Sequence, residues 1–151
     1  MVTSLVVAII VLGFLIVFHE FGHFIVARRL GVGVLKFSVG FGPKLVGVQV
    51  GRTEYVISAI PLGGFVKMIG EDPEEEVSAA DRELSFTHKS LWRRTAIVLA
   101  GPVANLLLAF LAFLAVFAAW GTADPRDEAV VGGVSRDMPA AAAGIRAGDF
   151  V

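Results

Sequence analysis

The chain has 151 residues, 56% of them hydrophobic and 18% charged, with a formal net charge of -1 and no cysteine. A mean hydropathy of +0.76 is far too apolar for a soluble domain of this length and points to a membrane protein. The near-neutral charge argues against a nucleic-acid partner. The lack of cysteine excludes a disulfide framework and a thiolate metal site, so any metal must be held by histidine and carboxylate.

Residues 2–27 are apolar apart from Thr3, Ser4 and the run His19-Glu20-Phe21-Gly22-His23. The stretch exceeds the roughly 20 residues a helix needs to cross the hydrocarbon core. A cleavable signal peptide fits poorly, because no basic residue precedes the apolar run and cleavage would discard the polar motif. On a helix, His19 and His23 share one face and Glu20 stands one position round. This is the H-E-x-x-H arrangement in which two imidazoles hold one Zn2+ and the glutamate is the general base. Zinc acidifies a bound water, and Glu20 takes the proton and returns it to the leaving amine. The alternative is that the three polar residues only bind helices together, but ionisable groups inside a membrane are costly and usually functional. With Arg28 and Arg29 at the interface, the histidines lie about 8 to 14 Å inside it, at about 1.5 Å per residue. Gly13 and Gly22 either leave room for a neighbouring helix or serve simple packing.

Arg28, Arg29, Lys36, Lys44, Arg52, Lys67, Arg82, Lys89, Arg93 and Arg94 fall between this segment and the next apolar one, whereas only Arg126, Arg136 and Arg146 follow. That bias makes the connector cytoplasmic and puts the N-terminus and the residues after Trp120 on the opposite side. Glycines and Pro43 break residues 31–43 into short apolar pieces. Residues 44–60 predict a β-hairpin, with β-branched arms at 45–50 and 53–60 about a Gly51-Arg52 turn. Its unpaired edge could hold an extended substrate by strand addition, or the hairpin could simply plug the mouth of the site. Val48 and Val56 are the candidate substrate-binding positions, one on each arm, since the pattern does not say which arm is the edge.

Next comes Pro61-Leu62-Gly63-Gly64-Phe65-Val66-Lys67-Met68. Taken with the His19 to His23 motif, Gly40-Phe41-Gly42-Pro43 and Gly101-Pro102-Val103-Ala104-Asn105, it resembles the site-2 protease family, closest to the bacterial regulators of sigma-factor signalling that cleave anti-sigma factors in the membrane. The resemblance implies zinc, a core of several membrane helices, a membrane-reentrant β-hairpin near the active site, and hydrolysis of a substrate's transmembrane segment after another protease has trimmed it. On this match, His19 and His23 are zinc ligands and Glu20 is the catalytic acid/base.

The acidic run at 71–76 reads as a solvated loop. His88, among Lys89, Arg93 and Arg94, reads as a surface histidine rather than a third ligand. Residues 95–120 form the second span, with a kink expected at Gly101-Pro102. Asn105 is its one strongly polar residue, and it either bonds across helices or points its amide at the substrate or at a ligand histidine. Beyond the polar stretch at 122–128, residues 138–149 resemble the opening of a PDZ domain as found in this family. So short a piece cannot bury a core of its own, and the chain reads as the front part of a longer protein. In the family the third zinc ligand is an aspartate in a Leu-Asp-Gly motif, which this sequence does not contain.

The predicted fold is therefore an α-helical membrane protein, its two transmembrane helices joined by a cytoplasmic or membrane-reentrant β-hairpin region. The first helix and its zinc motif occupy 1–30, the connector 31–90, the second helix 91–121, and the start of an incomplete PDZ domain 122–151. The predicted partners are a transmembrane protein substrate, the lipid bilayer and the remainder of the polypeptide, which supplies the third ligand; a fragment without it would be inactive. The alternatives are an HtpX-like membrane-anchored zinc protease and a non-catalytic PDZ-bearing membrane scaffold.

Overall fold

The computed structural model describes residues 2–72, 74–121 and 129–150, in two compact units at 1–114 and 115–151. Helix α1 runs Val2–Arg29 and helix α2 Leu91–Trp120. Both are long and apolar enough to cross a membrane. Among the described residues of α1 only Gly13, Gly22, Phe24 and Ala27 are buried, so most of its Leu, Ile, Val and Phe side chains face outward. An apolar surface of that extent suits lipid.

Between the helices lie two antiparallel strands, β1 (Val34–Val50) and β2 (Thr53–Met68), joined at Gly51-Arg52. The hairpin is thus about twice as long as the predicted 44–60. The glycines and Pro43 at 40–43, read from the sequence as breaks, lie within β1, and Pro61, Gly63 and Gly64, just beyond the predicted hairpin, lie within β2; both groups bend their strand. Gly40 has φ +89 and Gly63 φ +107, a backbone region that residues with a Cβ avoid.

The bends fold each strand into two lanes. Residues 36–39 pair on one side with 64–67 and on the other with 54–57, and residues 54–57 pair in turn with 46–49. Residues 36–39 and 54–57 therefore have neighbours on both sides, leaving 46–50 and 64–68 as the open edges. The inner lanes place three hydroxyls out of water, and each has a partner as burial requires. Ser38 Oγ donates to the Gly40 carbonyl at 3.0 Å and lies 3.1 Å from Ser58 Oγ. Thr53 Oγ1 donates to the Val34 carbonyl at 2.8 Å.

The core forms where the C-terminal half of α1, the base of the sheet and the start of α2 meet, around Phe24, Ala27, Val32, Val34, Val66, Met68 and Ile97. Phe24, Phe37 and Tyr55 pack ring to ring beside it. Arg28 lies over the Phe24 ring and donates to Tyr55 Oη at 3.3 Å. The sheet also follows α1 well beyond this core. A Cβ on Gly13 would lie 2.8 Å from the Pro61 carbonyl oxygen, and one on Gly63 would lie 2.8 Å from Ile16. Gly13 therefore accommodates the bend of β2, not a helix. Counting back from Arg29 at about 1.5 Å per residue, this contact is about 24 Å along α1.

Loop 69–90 returns along the sheet's base. Phe86 N donates to the Ile69 carbonyl at 2.8 Å, and Arg52 at the hairpin turn pairs with Asp81. In the second unit, beyond the end of α2, Val130 bridges Phe150 and a short helix spans Pro139–Ala142. The polar stretch expected at 122–128 lies outside the described residues.

Candidate metal and catalytic centre

The antiparallel register of α1 and α2 follows from two glycines. A Cβ on Gly22 would collide with the Ala100 carbonyl oxygen and lie 2.7 Å from Ala104 Cβ, while one on Gly101 would collide with Nε2 of both His19 and His23. Each helix thus has a bare backbone patch where the other presents side chains, as small residues allow inside membranes.

Ile97, Gly101 and Asn105 are spaced four apart on α2 and meet the histidine face of α1, itself spaced four. His23 Nδ1 lies 2.6 Å from the Ile97 carbonyl oxygen and His19 Nδ1 3.3 Å from Asn105 Nδ2. The two imidazole rings are 4.8 Å apart and set edge to face. A carbonyl oxygen only accepts, so His23 carries its proton on Nδ1 and keeps a lone pair on Nε2, the nitrogen that faces Gly101. Pro102 lies inside α2, which continues through it, and has no N–H to give the Val98 carbonyl.

Glu20 and His23 line a hollow of about 380 Å³ together with Val66, Met68, Glu71, Phe86, Ile97 and Val98. Val66 faces this hollow beside Glu20, and Met68 N donates to Glu71 Oε2 at 3.1 Å. Val66 and Met68 belong to the open edge 64–68, so the free edge nearest the motif is this lane. Glu71, which its acidic neighbours made look like ordinary loop, was missed by the sequence pattern; only the fold brings it to the rim of the hollow.

Val48 and Val56 line a separate apolar hollow of about 410 Å³ with Phe37, Val39 and Tyr55. Val48 is on the open edge and 60% exposed, whereas Val56 is buried in a lane paired on both sides with Ser38 and Gly47. His88 Nδ1 is engaged by Ser85 Oγ at 3.0 Å. Among the described residues no three histidine or acidic side chains are grouped closely enough to hold a metal.

Two bare-backbone crossings, two imidazoles converging on one glycine and a carboxylate beside them form a helical arrangement of the H-E-x-x-H class. The profile of peptidase family M50, the site-2 protease family, matches residues 7–146, and the chain belongs to that family. It is 43% identical over 148 residues to a "Putative zinc metalloprotease" of Clostridium acetobutylicum, covering 98% of this chain and 41% of that protein. Identity is 41% over 143 residues to a protein of the same name from Thermotoga maritima, covering 95% of this chain and 28% of the relative. Protease RseP of Yersinia pestis is 48% identical over 147 residues, covering 96% of this chain and 32% of RseP. The chain thus spans well under half the length of these relatives.

Proposed function

We propose that this chain carries the front half of the active centre of an intramembrane zinc metalloprotease. The observation that carries this reading is the convergence of His19 and His23 Nε2 on the bare Cα of Gly101, with Glu20 on the adjoining wall. The donor set fits zinc: two neutral imidazoles, one held in the ligating tautomer by the Ile97 carbonyl, and a space that a single Cβ would fill. Zinc bound there would supply Lewis acidity and lower the pKa of a coordinated water. The third protein ligand comes from the remainder of the polypeptide, as the family resemblance implies for an aspartate. Glu20, which lines the hollow with Val66, takes the water proton and delivers it to the leaving amine.

The substrate class is a transmembrane segment of another membrane protein, such as an anti-sigma factor. Two features support it: the histidines lie about 9 to 15 Å along α1 from Arg29, and the sheet follows the helix to Gly13. A helical substrate hides its carbonyls in i to i-4 bonds and must be unwound. Edge 64–68 can re-pair the exposed backbone groups beside Glu20. The connector faces the cytoplasm, as the basic residues indicate, and residues 122–151 begin a PDZ domain on the other side. The test is zinc content and cleavage of a membrane-embedded substrate by the full-length protein. Wild type should bind one zinc and cleave, whereas His19→Ala should lose both. Retention of zinc by His19→Ala would overturn the reading.

A further inference from the structure

We propose that Asn105 is a positioning residue whose amide oxygen fixes the ring of His19 for metal binding, as the Ile97 carbonyl does for His23. The inference rests on the zinc-protease reading above and assigns a role to one side chain within it.

The two histidines are supported differently. His23 Nδ1 faces a backbone carbonyl at 2.6 Å, a group that can only accept, so its tautomer is determined by the fold. His19 Nδ1 faces the amide nitrogen of Asn105 at 3.3 Å, and an N–H donor there places the ring proton on Nε2. That is the wrong tautomer, because Nε2 is the nitrogen that shares the space at Gly101 with its counterpart on His23. The remedy is in the same side chain. Asn105 Oδ1 is buried and has no hydrogen-bond partner, and rotating the amide by half a turn exchanges the two ends. Oδ1 then accepts the proton on Nδ1, and Nε2 is left with its lone pair directed at the metal position.

The placement is structural, not incidental. Asn105 lies four residues from Gly101 and eight from Ile97, so one face of α2 provides an acceptor for each histidine with an opening between them. Gly22 against Ala100 and Ala104 holds this face in register. A partner on the second imidazole nitrogen is what generally sets the tautomer and basicity of a metal-bound histidine, and its loss weakens metal affinity by about 10- to 100-fold.

The experiment compares Asn105→Leu, which keeps the size but removes the acceptor, with Asn105→Asp, which keeps an acceptor and no donor. Zinc affinity is measured by competition with a chelator on the full-length protein in nanodiscs, and the His19 ring is followed by ¹⁵N NMR in the zinc-loaded state. The expected result is a loss of about 10- to 100-fold in affinity for Asn105→Leu, with Asn105→Asp within about threefold of wild type. In zinc-loaded wild type the Nδ1 proton of His19 should be shifted downfield by its hydrogen bond. That measurement needs no variant and covers the case in which Asn105→Leu does not fold. Wild-type affinity in Asn105→Leu, equal weakening in both variants, or a His19 Nδ1 proton without the downfield shift would overturn the assignment. If wild type binds no zinc, or His19→Ala still binds it, the protease reading and this inference fall together. If His19→Ala abolishes binding while Asn105→Leu does not alter it, only the inference falls.

Discussion

Glu20 lines the same hollow as His23 but stands one position round the helix from the face that His19 and His23 share, which suits a proton carrier rather than a third ligand. Glu20→Gln should therefore leave zinc bound while cleavage falls by about 10²- to 10⁴-fold, the usual weight of a general acid/base; metal analysis beside a cleavage assay checks both. Loss of zinc as complete as in His19→Ala would make Glu20 a ligand instead. His88 gives the opposite case. Its Nδ1 is engaged by the Ser85 and Thr87 hydroxyls, and among the described residues it belongs to no group of three that could hold a metal, so His88→Ala should leave zinc stoichiometry unchanged. The motif residues were legible in the sequence because i, i+4 spacing on a helix fixes a shared face by itself. The part played by Ile97 was not, because a backbone carbonyl has no sequence signature.

The crossing of α1 and α2 depends on two glycines whose missing side chains do different work. Gly101→Ala inserts a methyl where both Nε2 atoms converge and should abolish zinc binding. Gly132→Ala, where nothing lies within 4 Å, should leave it unaffected. In the sheet, a proline removes one backbone donor. Val56 sits in a lane paired on both sides, so Val56→Pro should unfold the sheet. Val48 is on the outer edge, away from Glu20, so Val48→Pro should fold and retain most cleavage. A severe loss with intact fold and zinc would move the substrate edge from 64–68 to 46–50. The turn at Gly51-Arg52 is tied to the loop by Arg52 and Asp81, and the Arg52 guanidinium, followed by Ser78 Oγ, holds the Asp81 carboxyl below its ordinary value. This tether is intact above the ordinary carboxylate value, about pH 4, and is lost as pH falls through the depressed one. Arg52→Gln should raise the Asp81 carboxyl toward its ordinary range in a ¹³C titration, with the Ser78 hydrogen bond still holding part of the depression.

At the scale of the whole molecule, the charge asymmetry makes one prediction about sidedness. Ten of the thirteen basic residues lie between residues 28 and 94, and such a bias orients membrane spans. Reporter fusions at Asp81 and Gly133 should report opposite faces, cytoplasmic for Asp81; the reverse pattern would invert the proposed topology. The outward apolar surfaces of α1 and α2 also predict that detergent or lipid is required throughout purification.

Composition and periodicity determined two long apolar helices, the motif on the first and a hairpin turning at Gly51-Arg52, because these depend on residue type and on contacts near in sequence. The length of the hairpin was decided only in three dimensions. The glycines and prolines at 40–43 and 61–64 look locally like breaks, yet Gly40 and Gly63 bend strands that continue through them, with pairing from distant residues holding the bent backbone. Tertiary structure also decided which edge faces the motif, drew Glu71 out of an acidic run to the rim of the hollow, and set Asn105 against His19 across 86 positions of sequence. No local pattern could carry these relations, since each depends on the register in which Gly22 and Gly101 let the two helices meet.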